Sequence, residues 1–353
     1  MELLYSKIKP CEYSNSSFSE AFELGLVNSD SIKIATGYVS EESLLELKAV
    51  LLFYSEENKT KKCSLVIGMH GREGFTKAQY EAAVDLATFL REKEIGSVRV
   101  CTAFKFHGKT YVFGKDGVPV PISAIMGSSN LSNILDSRQW EVDALFSEGS
   151  VLSELDTLHE ELVQKASKDI LDLPKPESFI EMHDLLKDRI DVEKANDDEY
   201  QKIENTQTER VFDLPLKTEP KSNLNAYFGK GRLATSTGAI RPRHWYEVEL
   251  IVPIEITTAD GYPKRDTVIT VYTDDGWKFN CKIQGDYGKN FRSEGDLRTL
   301  GRWIKGRLEK ANCLKVGQPV TAEVFQKYGR NTISLKETSN PLVWLLDFSN
   351  KTL

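Results

Sequence analysis

The chain has 353 residues, 40% hydrophobic and 10% aromatic, which is enough for two domains with real cores and excludes wholesale disorder. No apolar run approaches a membrane span, the start MELLYSKIKPCEYSNSSF lacks a signal peptide's apolar centre, and five scattered cysteines form no CxxC pair, so we expect a cytoplasmic protein without structural zinc. The net charge of −7 hides an asymmetry: residues 211–353 hold 22 Lys+Arg against 16 Asp+Glu, or +6, leaving 24 against 37, or −13, for residues 1–210. Only the second half carries the charge to meet a polyanion.

In chain order, strand-like runs at 32–39, 62–69, 97–104, 104–114, 121–128 and 140–147 are joined by helical patterns at 40–57, 75–93 and 151–167. This predicts an α/β layered domain over 1–172, with a mixed sheet because three later strands follow one another without helices. Two prolines in LDLPKPES (171–178) stop the last helix, and 187–210 is highly charged and almost free of large apolar residues. Residues 173–210 therefore read as a charged linker with helical pieces, or else an exposed helix. From 211 to 353 the runs VFDLPL, WYEVELIVPIEI, DTVITVYT, WKFNCKIQG, QPVTAEVFQKYG and NTISLKE read as short strands, with one helix near 296–310. They predict a small all-β barrel or pseudo-barrel.

The stretch FKFHGKTYVFG (104–114), read as a strand, puts Lys105, His107 and Lys109 on one face. GSSN (127–130) follows at the end of the next strand, and Glu141 lies in the one after it. Phosphodiester cleavage without a metal needs a nucleophile, donors for the non-bridging oxygens and an acid for the leaving oxygen. His107 can attack phosphorus and become a phosphohistidine, Lys109 and Asn130 can hold the charged oxygens, and Ser128 can add a hydroxyl donor. Glu141 can fix the His107 tautomer. His70, in MHGREG, reads as a solvated loop residue, and His159 as a structural residue on an exposed helix.

HGK (107–109), GSSN and Glu141 resemble the HxK … GSxN … E motif of the phospholipase D superfamily, its nuclease branch more than its lipases. The family usually has Asp where this chain has Gly114. Only one HxK is present, whereas these enzymes work with two histidines, one as nucleophile and one as general acid. The resemblance therefore implies a homodimer through the N-terminal domain, with one active site on its two-fold axis and no metal or other cofactor.

Between 221 and 246 lie Lys221, Lys230, Arg232, Arg241 and Arg243 and no acidic residue before Glu247, interleaved with Asn223, Asn225, Tyr227, Ser236, Thr237, His244 and Trp245. A second basic cluster holds Tyr287, Lys289, Asn290, Arg292 and Arg298. Cations meet phosphates, while Asn, Arg and His can read base edges, so two such loops on a small barrel suggest arms gripping a duplex. The architecture resembles the plant B3-like domains of certain restriction enzymes. Together the halves look like a phospholipase D-like type II restriction endonuclease of the BfiI and NgoAVII type, with double-stranded DNA as partner. The resemblance also implies a companion DNA methyltransferase and, since no P-loop is present, ATP only through a separate helicase-like chain. Two rivals are a lipid phosphodiesterase, which the absence of a membrane-binding stretch disfavours, and a DNA-binding regulator on an inactive phosphodiesterase fold.

Overall fold

A computed structural model of the protein describes residues 1–350 apart from 9, 10, 12, 58, 136–138, 181–183, 188, 220–222 and 234–239. The chain divides into two compact units, Met1–Met182 with Arg232–Pro242, and His183–Gly231 with Arg243–Leu353.

In the first unit, β1 (Glu2–Tyr5), β2 (Ser31–Thr36), β3 (Lys62–Ile67), β4 (Gly96–Cys101), β5 (Thr110–Gly114), β6 (Ser123–Gly127), β7 (Val142–Phe146) and β8 (Ser167–Asp169) form one sheet. Their order is β1-β7-β6-β5-β2-β3-β4-β8. The strands β2, β3 and β4 run parallel, and every other pairing is antiparallel. Parallel strands are covered on both faces, which is why their apolar residues come in runs: Ile34 and Ala35, and Leu65, Val66 and Ile67, are all fully buried.

The helices of this unit are α1 (Phe18–Asn28), α2 (Glu41–Glu56), α3 (His70–Glu73), α4 (Lys77–Glu92) and α5 (Val151–Glu161). Capping boxes start three of them, Ser17 with Glu20, Ser40 with Ser43 and Thr76 with Gln79. Alternation along β5 divides the layers. Tyr111 and Phe113 meet Phe18 and Phe22 of α1, whereas Val112 packs with Leu152 and Leu155 of α5.

The strand expected over 104–114 begins only at Thr110. Gly68, just past β3, lies so close to the Phe106 backbone that a Cβ there would sit 2.0 Å from the carbonyl oxygen. Gly37, just past β2, lies likewise against His107, where a Cβ would come within 3.0 Å of the ring. Residues 104–109 thus pass over the ends of β2 and β3 instead of extending β5, and Lys105, His107 and Lys109 do not share a strand face.

In the second unit, β9 (Val192–Lys194) and α6 (Asp197–Glu204) lie within the stretch expected as a charged linker, and β10 (Gln207–Pro215) begins in it and covers most of the strand expected at 211–216. The strand β9 pairs with Trp277–Phe279, and Tyr272 donates to Glu199 of α6 at 2.7 Å. The ribbon of β11 (Arg232–Leu233) and β12 (Ile240–Arg241) comes next in sequence but is counted with the first unit, as a two-stranded pair of its own. Then come β13 (Leu250–Ile251), α7 (Ile254–Thr257), β14 (Val268–Thr273), β15 (Trp277–Gln284), β16 (Asn290–Ser293), α8 (Thr299–Lys310), α9 (Ala322–Tyr328), β17 (Thr332–Thr338) and β18 (Val343–Asp347). The curled sheet runs β10-β17-β18-β14-β15-β16-β13, with β9 added on β15. Leu300, Trp303, Ile304 and Leu308 of α8 are buried in its core.

Two strand expectations fail here. Residues 318–329 hold the helix α9 (Ala322–Tyr328), which ends at Gly329, left-handed at φ 84° with its N–H on the Phe325 carbonyl. Of 245–256, only Leu250 and Ile251 are strand, and Pro253 opens the helical turn α7.

Candidate active site

The expected reactive residues gather at one end of the first sheet. His107 is exposed, on the segment before β5, and Lys109 is buried, with 7% of its surface accessible. Lys109 Nζ lies 3.1 Å from each His107 ring nitrogen and donates to the His107 carbonyl at 2.7 Å. An ammonium has donors only, so an imidazole facing it offers a lone pair. Burial lowers the Lys109 pKa below the ordinary 10.5, and the Glu141 carboxylate pulls it part of the way back.

Asn130 is oriented by its acceptor. Its Oδ1 receives the Tyr38 N–H at 3.0 Å and the Thr36 hydroxyl at 3.3 Å, so the amide nitrogen keeps its hydrogens to give. The loop carrying it is fastened by its neighbour Ser129. Ser129 donates its N–H (3.0 Å) and its hydroxyl (2.6 Å) to the two oxygens of Asp143 on β7, and Tyr111 donates to its carbonyl at 2.8 Å. Burial raises the Asp143 pKa, while the Ser129 bonds to its carboxylate work the other way.

The other two expected residues are placed differently. The Ser128 hydroxyl is occupied by the β7 backbone, receiving the Val142 N–H at 3.1 Å and donating to its carbonyl at 3.3 Å. Glu141 is fixed through its backbone, whose N–H reaches Ser6 Oγ at 3.0 Å. Among the described residues no hydrogen bond joins Glu141 to His107, and its carboxylate acts on Lys109. Gly114, where the family has Asp, pairs with Ser31, and a Cβ there would lie 2.5 Å from the serine hydroxyl.

The sequence reading missed the supporting residues Thr36, Gly37, Tyr38, Gly68, Ser129 and Asp143. A glycine near the end of each of two strand-like runs, Gly37 and Gly68, was the available signal. His70 is buried rather than solvated: its Nε2 receives the Val39 N–H at 3.3 Å, its Nδ1 lies 2.8 Å from the Gly74 carbonyl, and it stacks on Phe75. His159 is buried too, 2.8 Å from Ser64 Oγ, and burial takes its pKa down to about 4. Among the described residues no three His, Cys, Asp or Glu side chains stand together as a metal site, and no helix is long and apolar enough to cross a membrane.

The basic residues of the second half differ in exposure and in the partners that hold them. Lys230 and Arg232 are exposed. Tyr287 is 69% exposed on a turn that includes Gly285 and Gly288 at positive φ, and Lys289 Nζ lies 5.5 Å from its ring centre. Arg265, unremarked in the sequence, is exposed beside this turn, 3.5 Å from Asp266 and 4.0 Å from Asp286. By contrast Arg243 is paired with Glu247 at 2.8 Å, Asn290 donates to Glu249 at 3.0 Å, and Arg298 is held by Asp296 at 2.7 Å. His244 is half-buried, as is Arg292, whose Nε has no hydrogen-bond partner among the described residues. Asn225 and Trp245 belong to the core, Asn225 holding the Val320 backbone through both ends of its amide. Lys221, Ser236, Thr237 and Gly238 lie outside the described residues, as does the Arg241 side chain.

Residues 19–174 match the family model of the NgoFVII restriction endonuclease N-terminal PLD domain, and residues 202–339 that of the NgoFVII C-terminal B3-like DNA-binding domain. The chain belongs to the NgoFVII restriction endonuclease family. In the terms of that family, the mixed sheet is the PLD domain, and the curled sheet is the B3-like domain that makes DNA a partner. Solved structures similar to the chain include the phospholipase D family member Nuc from Salmonella typhimurium, at 15% identity and TM-score 0.33, covering 48% of this chain and 95% of that one. Polyphosphate kinase from Porphyromonas gingivalis follows at 12% identity and TM-score 0.31, with 58% of this chain and 29% of that one covered. NucT from Helicobacter pylori shows 11% identity and TM-score 0.30, over 47% of this chain and 98% of its own. No curated protein sequence matches the NgoFVII-family chain described here.

Proposed function

We propose that this sequence-specific nuclease cuts DNA without a metal, through a phosphohistidine on His107, at one active site shared by two copies of the chain. The observation that carries the reading is the exposed His107 ring with Lys109 Nζ 3.1 Å away, beside an Asn130 amide whose acceptor is already satisfied. A ring nitrogen of His107 attacks phosphorus, the N–P bond forms, and the P–O bond to the leaving strand breaks. The departing oxygen takes a proton from His107 of the partner subunit. Water then attacks phosphorus, giving up its proton to that same imidazole, and the N–P bond breaks to return His107. Lys109 and Asn130 donate to the non-bridging oxygens as charge gathers on them. The B3-like domain chooses the site, with Lys230, Arg232, Arg265, Tyr287 and Lys289 as its exposed candidates for phosphate and groove contacts. ATP enters only through a separate helicase-like chain, and a companion methyltransferase protects the host's own sites.

Metal removal tests this reading. With plasmid DNA and excess EDTA, the full chain is expected to produce discrete fragments at the rate it shows with Mg²⁺. Cutting that needs Mg²⁺ would contradict the histidine mechanism.

The state of Lys109 gives a second test. Because burial lowers its pKa, the cation is lost at a lower pH than for an ordinary lysine. Cleavage followed between pH 7 and 11 is expected to fall on an alkaline limb below 10.5, the ordinary lysine value. In Lys109→Arg the remaining activity should lose that limb, since a guanidinium stays charged. An alkaline limb unchanged in Lys109→Arg would remove Lys109 from the charge-bearing role.

A further inference from the structure

The MHGREG segment (69–74) and Tyr38 remain outside the chemistry described so far, yet they surround the segment that carries His107. The Tyr38 ring stands edge-on to His107, with ring centres 5.6 Å apart and planes at 78°. It meets His70 in the same edge-on way, at 5.5 Å and 87°. His70 cannot yield, being buried, stacked on Phe75 and tied at both ring nitrogens to the backbone of Val39 and Gly74. The far end of Tyr38 is fixed as well: its hydroxyl donates to Glu73 Oε2 at 2.8 Å. Glu73 Oε1 in turn receives Lys105 Nζ at 3.0 Å, two residues before His107. One residue along, Arg72 donates to the Ala103 carbonyl at 2.9 Å, and Gly71 lies against the Cys101 carbonyl, where a Cβ would come within 2.1 Å.

We propose that Tyr38 is a positioning residue for His107, in edge-on contact with both the fixed ring of His70 and the nucleophile and linked through Glu73 to the segment that carries it. Tyr38 also gives its backbone N–H to Asn130 Oδ1, so one residue orients both the nucleophile and an oxygen-holding amide. An exposed histidine on an irregular segment has many rotamers, and attack needs one of them. The packed ring supplies a wall, and the tyrosine–glutamate–lysine chain keeps the wall and the segment in register. The hydrogen bond to Glu73 raises the Tyr38 pKa, which keeps the phenol protonated and donating. Glu73 and Lys105 are both accessible at the surface, so their pair alone holds little. Its effect comes through the packed Tyr38.

This inference rests on His107 being the nucleophile, and the test separates the two claims. Full-length Tyr38→Ala, Tyr38→Phe, Glu73→Gln and His107→Ala are compared by single-turnover cleavage, DNA affinity and melting temperature. Tyr38→Ala is expected to slow cleavage about 100-fold with DNA affinity within about twofold of the parent, a loss of misplacement size. Tyr38→Phe keeps the wall and loses the lock, and Glu73→Gln can accept from the phenol but not from Lys105 as well, so both should fall between Tyr38→Ala and the parent in rate. If His107→Ala is inactive while Tyr38→Ala cleaves at the parent rate, the positioning role is overturned and the nucleophile stands. If Tyr38→Ala loses DNA affinity in proportion to its rate, Tyr38 touches DNA and the positioning role is again overturned. If His107→Ala still cleaves, the nucleophile assignment itself has failed.

Discussion

Replacing His107 with alanine is expected to lower DNA cleavage on the order of 10⁴-fold or more, while DNA binding persists. The size follows from the role: without the imidazole no covalent intermediate forms, and Lys109 and Asn130 can only steady a phosphate that nothing attacks. The side chain is exposed, so its removal opens no cavity in the core. The B3-like domain spans residues 202–339, away in sequence from the change, so a gel-shift titration should give the parent affinity. Cleavage by the variant at more than a few per cent of the parent rate would deny His107 the nucleophile's role. Loss of binding together with cleavage would mean that the substitution harms more than chemistry.

Gly68→Ala is expected to produce the second large effect, through geometry alone. The new Cβ would sit 2.0 Å from the Phe106 carbonyl oxygen and 2.8 Å from its carbon. Backbone has to move, because no flexible side-chain tip is there to swing aside. Overpacking of this kind costs about 1–3 kcal/mol of stability. The displaced segment is the one that ends in His107, so cleavage should fall roughly 100-fold even where the variant is folded. Denaturant unfolding and single-turnover cleavage measure the two effects separately. A variant with parent stability and rate would show that residues 104–109 do not depend on this close approach. Gly37→Ala, where the contact is 3.0 Å to the movable His107 ring, should be milder in stability and comparable in rate.

Much of the fold was legible because its signals are local. The parallel strands are apolar runs, α2 and α4 begin at capping residues, and β5, β6 and β7 follow one another without an α-helix between them. Within the site, HGK and GSSN could be read directly, since the chemistry requires those residue types at those spacings. What stayed hidden depends on long-range approach. Alternation along FKFHGK mimics a strand, and nothing local reveals that Phe106 passes over Gly68. Thr36, Tyr38 and Asn130 are brought together by hydrogen bonds across more than 90 residues of sequence. From sequence His70 reads as solvated and His159 as lying on an exposed helix, and both are buried, because a histidine's burial is set by what folds over it. In the second half the basic residues were visible, but their partners were not. Glu247 and Glu249 lie just past the stretch that looked free of acids, and they engage Arg243 and Asn290. The segment of α9 reads as a strand because its valines and aromatic residues suggest one, and only Gly329, which closes the helix in a left-handed turn, signals otherwise.

The most direct single measurement is to trap the intermediate. The full chain is mixed with an oligonucleotide duplex carrying its recognition site, in EDTA, quenched with denaturant on the timescale of one turnover, and digested for mass spectrometry at neutral to alkaline pH, where a P–N bond survives. The expected result is a DNA phosphate on the peptide that contains His107, lost on acid treatment and missing from His107→Ala. Cleavage that proceeds with no such adduct, or with the adduct on another residue, would contradict a phosphohistidine at His107.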